Sequence, residues 1–175
     1  MRSTVLALAS ATAVMCLLAA TGSAAASQGE TLCTWGGTPA APNGRISFSP
    51  GVTNTPSTGP TQFTATGPLG GSDCSGKLTF TGYLEPGDTC AVATPFHAKA
   101  TGLPPVVRAE ARPGIAGTAP VLLYDAEGNV VGSEQAQFLT TLANESNPGY
   151  LNCGAPQGLT EAFWSDTVEL FASKG

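Results

Sequence analysis

Apolar and polar residues alternate with a period of two over several short runs, which is the signature of half-buried strands. In residues 77–84, Leu78, Phe80 and Leu84 share one phase. In residues 89–100, Cys90, Val92 and Phe96 share a face, leaving His97 and Lys99 on the other. Residues 106–112 place Val107, Ala109 and Ala111 on one side and Arg108, Glu110 and Arg112 on the other. Further runs at 45–49, 61–66, 121–125, 130–141 and 162–172 read as strands, and no convincing amphipathic helix separates them.

Turn residues sit between these runs. Glu85-Pro-Gly-Asp joins two of them as a hairpin, because Pro presets φ and Gly accepts positive φ. Ala126-Glu-Gly-Asn joins another pair, and residues 50–60 form a Pro/Gly/Thr-rich connector. Residues 27–44 read as irregular. The pattern predicts an all-β domain, an antiparallel, immunoglobulin-like β-sandwich of about seven to nine strands with two disulfides.

The first residues follow a different rule. Arg2 precedes an uncharged apolar run over residues 5–20, and Ala24-Ala25-Ala26 supplies a small-residue cleavage site. Residues 1–26 therefore read as a cleaved secretory signal peptide and residues 27–175 as one domain. Secretion places that domain outside the cell, with no membrane attachment after cleavage. The net charge of −5 and the lack of a basic patch argue against nucleic acid as a partner. A monomer that meets an extracellular ligand or protein is expected.

Of the five cysteines, Cys16 belongs to the signal and four remain. An oxidising compartment makes these disulfide partners. With the hairpin turn at 85–88, Cys74 lies about eight residues, or roughly 26 Å, from the point opposite Cys90, whereas a disulfide needs Cα atoms within about 7 Å. That favours Cys33–Cys74 with Cys90–Cys153 over the crossed alternative.

Candidate chemistry is sparse. His97 is the only histidine, no serine carries a nucleophile-elbow motif, and His97 falls on a solvent-facing phase. One histidine and four oxidised cysteines leave too few ligands for zinc, so no metal or cofactor is expected. Asp125-Ala-Glu127-Gly-Asn129 resembles the opening of a calcium loop, but Val130 replaces the glycine and turn chemistry accounts for it. Arg108, Glu110 and Arg112 form a ladder at about 7 Å spacing that could grip an anion. Asp166 shares its face with Trp164, Val168 and Leu170, so burial would raise its pKa. Trp35, in a Gly-rich segment beside Cys33, belongs to an aromatic set with Tyr83, Tyr124, Tyr150, Phe163 and Trp164 that could stack on sugars. Asn144-Glu-Ser146 fits a glycosylation sequon.

The Ala-rich leader, Cys33-Thr-Trp-Gly-Gly, Ser49-Pro-Gly and Asp125-Ala-Glu-Gly-Asn together resemble small secreted proteins of high-GC Gram-positive bacteria. A fainter similarity is to neocarzinostatin-type apoproteins, acidic two-disulfide sandwiches, although the short Cys–Cys loops of that family are absent. These resemblances imply a secreted β domain. The expected function is non-catalytic extracellular binding, with Trp35, His97, Arg108, Glu110, Arg112 and Asp166 as candidate contacts. The alternatives are a polysaccharide hydrolase using a carboxylate pair that includes Asp166, and a protease inhibitor presenting loop 50–60 or 144–153.

Overall fold

The computed structural model describes residues 30–112, 114–115, 120–135 and 153–172. The signal segment, the sequon, Tyr150 and nearly all of the 144–153 loop lie outside the described residues. The described strands are β1 (Thr31–Trp35), β2 (Gly37–Thr38), β3 (Ala41–Pro42), β4 (Gly44–Val52), β5 (Thr61–Gly70), β6 (Lys77–Leu84), β7 (Val92–Ala93), β8 (Phe96–Thr101), β9 (Arg108–Ala111), β10 (Gly114–Ile115), β11 (Pro120–Tyr124), β12 (Val130–Gln135), β13 (Leu159–Trp164) and β14 (Asp166–Leu170). Among the described residues there is no α-helix, and every strand pairing is antiparallel.

The main sheet closes into an eight-stranded barrel in the order β1-β14-β12-β11-β9-β8-β6-β5, returning to β1. This differs from the expected sandwich, and the cause is β1. The segment expected to be irregular pairs on both sides, with β14 along its whole length and with β5 through Thr34↔Gly70 and Trp35↔Leu69. A strand bonded on both edges leaves no gap between two layers.

Closure depends on glycine. The same edge of β5 receives β4 over Gln62–Thr66 and β1 only at its far end. At that fork Gly36, Gly44 and Gly67 meet backbone to backbone. A Cβ on Gly67 would lie 2.8 Å from the Gly36 Cα, and Gly36 itself has φ +76°. Only glycine fits such an approach without displacing a strand. β4 and β13 continue past the fork as a two-stranded flap. The predicted last strand is accordingly two: it leaves the flap at Ser165 and enters the barrel as β14.

The barrel interior is a packed core. Trp35, Trp164, Phe80, Leu78, Leu123, Val121 and Val168 are fully enclosed. Trp35 meets Phe80 and Trp164 edge-on, at 4.6 and 4.1 Å between ring centroids, and its Nε1 donates to the Leu78 carbonyl at 3.1 Å. Trp35 is thus a core residue and cannot serve as the exposed contact its Gly-rich neighbourhood suggests.

Both disulfides are formed as favoured, Cys33–Cys74 and Cys90–Cys153, with Cα separations of 5.6 and 6.3 Å. Such bonds suit an oxidising environment. The hairpin is looser than expected. Leu84 faces Phe96, so residues 85–95 are a long connection that carries the short strand β7, and Cys90 lies in its irregular part with its N–H donating to the Thr53 carbonyl at 2.9 Å. Among the described residues no helix is long and apolar enough to cross a membrane.

Candidate functional site

Strand register assembles two rows of side chains on the outer face of the barrel. In the first, Tyr83 on β6 stands opposite His97 on β8, which stands opposite Glu110 on β9. In the second, Thr81, Lys99, Arg108 and Tyr124 follow one another across β6, β8, β9 and β11. Directly opposed residues have Cβ atoms about 5 Å apart, so positions distant in sequence form one patch.

The patch is electrostatically knit. His97 sits between two carboxylates, with Nε2 3.4 Å from Glu85 and Nδ1 3.6 Å from Glu110. The Arg108 guanidinium pairs with Glu110 and lies 4.1 Å above the Tyr124 ring. The Tyr83 and His97 rings are 5.6 Å apart and tilted by 39°. Tyr83 is 40% exposed, leaving ring surface for a ligand. The loop Asp125–Gly128 borders this face and, with it, encloses a shallow groove of about 690 Å³. The loop is held by Asp125, whose two carboxylate oxygens accept from the Asn129 backbone and side-chain amides at 2.8 and 3.0 Å. The side-chain bond from Asn129 chiefly holds the Asp125 carboxyl below its ordinary range. The segment is therefore a turn closed by Asp125, as expected for Glu-Gly-Asn between two strands.

Of the sequence candidates, His97, Arg108 and Glu110 are brought together. Arg112 is exposed beyond the end of β9 and does not line the groove. Glu85, Tyr83 and Tyr124 complete the patch. The two tyrosines are visible in the sequence as aromatics, whereas Glu85 is hidden in a turn.

Asp166 belongs to a second, interior cluster. It is 8% exposed, opposite Trp35, and its Oδ1 accepts from the Thr167 N–H at 2.7 Å. Glu134 stands opposite Val168, one inward position along from Asp166, and is 3% exposed. Burial, and then the charge and hydrogen-bonding position of Asp166, push the Glu134 carboxyl well above its ordinary range. Two carboxylates can only accept, so with both ionised the Glu134 oxygens have no hydrogen-bond partner. With one proton between them the two acids can bond.

Glu134 escapes sequence reasoning because the buried positions described in β12 are Gly132 and Glu134, while its apolar residues are the exposed Val130 and the half-buried Val131. A bulge between Leu123 and Tyr124 also shifts the pairing beside Val130. Compared with known protein families, curated proteins and solved structures, the chain matches none.

Proposed function

We propose that this is a secreted, non-catalytic binding protein whose recognition surface is the outer face of β6, β8, β9 and β11. The observation that carries the reading is the patch of Tyr83, His97, Arg108, Glu110 and Tyr124 beside a groove. The exposed Tyr83 ring, guanidinium donors and carboxylate acceptors converge there on one sheet face. Such a surface suits a small polar ligand, a glycan above all, because sugars stack on rings and exchange hydrogen bonds with charged groups. Export with removal of residues 1–26 is part of the proposal, and N-terminal sequencing of the exported protein should begin at Ser27.

The test is chemical-shift mapping with a panel of soluble oligosaccharides. Shifts confined to Tyr83, His97, Arg108 and their neighbours, abolished by Arg108→Ala, are expected. Binding elsewhere, or binding that survives Arg108→Ala unchanged, would overturn the assignment.

The polysaccharide hydrolase reading has one observation in its favour, the second carboxyl beside Asp166. Burial of both acids below one-tenth exposure sets that reading second, because a polymer substrate must reach its catalytic pair. Polysaccharide cleavage lost in Asp166→Asn would reverse the order.

A further inference from the structure

We propose that the outer-face site is built for an acidic saccharide, with the acid group seated between Lys99 and Arg108 and a sugar ring on Tyr83. This rests on the reading of that face as the binding surface and names the ligand chemistry the surface selects.

Strand register sets two cations side by side. Lys99 on β8 stands directly opposite Arg108 on β9, and both line the groove. Like charges opposed across a strand pair are destabilising. Nothing in the sheet offsets the contact on the Lys99 side. Its opposite neighbour on β6 is Thr81, and His97 and Thr101 flank it two positions away on its own strand. The nearest acid on the sheet, Glu110, stands opposite His97 and is held by Arg108 and by the His97 ring. Lys99 is exposed, and its ammonium has no ion pair or hydrogen bond among the described residues.

Arg108 is placed for the same task. A guanidinium carries five N–H donors in a fixed fork. Glu110 takes one of them, and the guanidinium carbon lies 4.1 Å from the centroid of the Tyr124 ring. These two contacts fix the plane of the fork. Its other N–H groups meet no acceptor among the described residues, and the side chain is 43% exposed. A carboxylate between Lys99 and Arg108 would take charge-assisted bonds from both and offset their repulsion.

Acids also border the groove. Asp125 is turned into its own loop by Asn129, Glu85 faces His97, and Glu127 lies at the exposed tip of the bordering loop. The row Thr81, Lys99, Arg108 and Tyr124 contains no acid, so it is the part of the surface that receives an anion. Tyr83 stands two residues from Thr81 on β6, one row along. Such rows are about 7 Å apart, within the span of a sugar ring and an acid group carried on the same or the adjoining unit.

NMR titration of the protein with trigalacturonic acid and with its methyl ester tests this, since the ester carries the same rings without the charge. The acid should bind about tenfold more tightly than the ester at low salt, the size of one charge-assisted bond, with shifts at Tyr83, Lys99 and Arg108. Salt at about 0.5 M should erode that preference, because exposed charge pairs are screened. Lys99→Gln should bring the ratio between acid and ester close to unity. Equal affinities, a preference for the ester, or no shift from the acid would each overturn the acidic class. Shifts at Tyr83 and His97 from the ester or another neutral oligosaccharide would in that case leave the binding surface itself standing, whereas shifts confined to other residues would overturn both readings. An undiminished preference in Lys99→Gln would overturn the seat of the acid group. Sodium sulfate at matched ionic strength should leave Tyr83 unshifted, and sulfate matching the affinity of the acid would overturn the role of the sugar and identify an anion site only.

Discussion

Replacing Cys90 and Cys153 together by alanine tests how much of this fold depends on its cross-links. The bond spans 63 residues. Closing a loop of that length lowers the entropy of the unfolded chain by about 14 cal/mol/K, equivalent to about 4.3 kcal/mol at 25 °C. The other bond spans 41 residues, and the same relation gives about 3.9 kcal/mol. The two loops do not overlap in sequence, so their effects add to roughly 8 kcal/mol, against a total stability of about 5–15 kcal/mol for an ordinary domain. The doubly reduced chain should therefore be marginal or unfolded, whereas Cys90→Ala/Cys153→Ala should fold with the midpoint of thermal unfolding lowered by roughly 10–15 °C. Cys33 is fully buried, so Cys33→Ala/Cys74→Ala also removes a sulfur from the core and should cost at least as much despite its shorter loop. Urea unfolding monitored by tryptophan fluorescence gives both quantities, and the m-value should rise as the uncross-linked chain exposes more surface. A loss below about 1 kcal/mol in Cys90→Ala/Cys153→Ala would refute the chain-entropy argument and mean that the unfolded state is already confined.

Gly82→Ala should destabilise the fold by about 2 kcal/mol, because the added methyl would collide with the His97 carbonyl oxygen and lie 2.6 Å from the Ala98 Cα. The forced shift acts on the strand carrying His97, so the NMR signals of Tyr83 and His97 should move together. Trp35→Ala should cost about 3–5 kcal/mol by denaturant unfolding, since it empties the centre of the aromatic cluster. Asn129→Ala should raise the Asp125 carboxyl toward its ordinary range in an NMR titration, because the largest influence lowering it is the Asn129 side chain.

Much of this protein follows from local chemistry. Alternation at Leu78, Phe80 and Leu84, and at Ala109 and Ala111, marks strands and their inner faces, because side chains on a strand must choose between two sides. Pro-Gly and Glu-Gly-Asn place turns, since backbone geometry there depends on neighbouring residues alone. Distance along the chain favours the disulfide pairing that forms, although the expected tight hairpin is a long connection in the structure. The same alternation turns His97 toward solvent.

Other features depend on which strand lies beside which. Barrel closure rests on β1 and on the meeting of Gly36, Gly44 and Gly67, positions far apart in sequence whose shared lack of a Cβ acquires meaning only when three backbones converge. Trp35 reads as a possible contact because glycines surround it, and those glycines in fact let strands pack over it. The outer patch takes one or two residues from each of four strands and Glu85 from a turn, so spacing along the sequence reveals only its Arg108–Glu110 part. Asp166 is recognisable alone, from its apolar phase. Its partner Glu134 is not, because the fully buried positions described in β12 are Gly132 and Glu134, neither apolar, and a bulge resets its register. Sequence alone determined strands, turns and the facing of single side chains, which are local steric choices. Closure, the composition of the patch and the pairing of the two acids are relations between strands, and only the tertiary structure decides them.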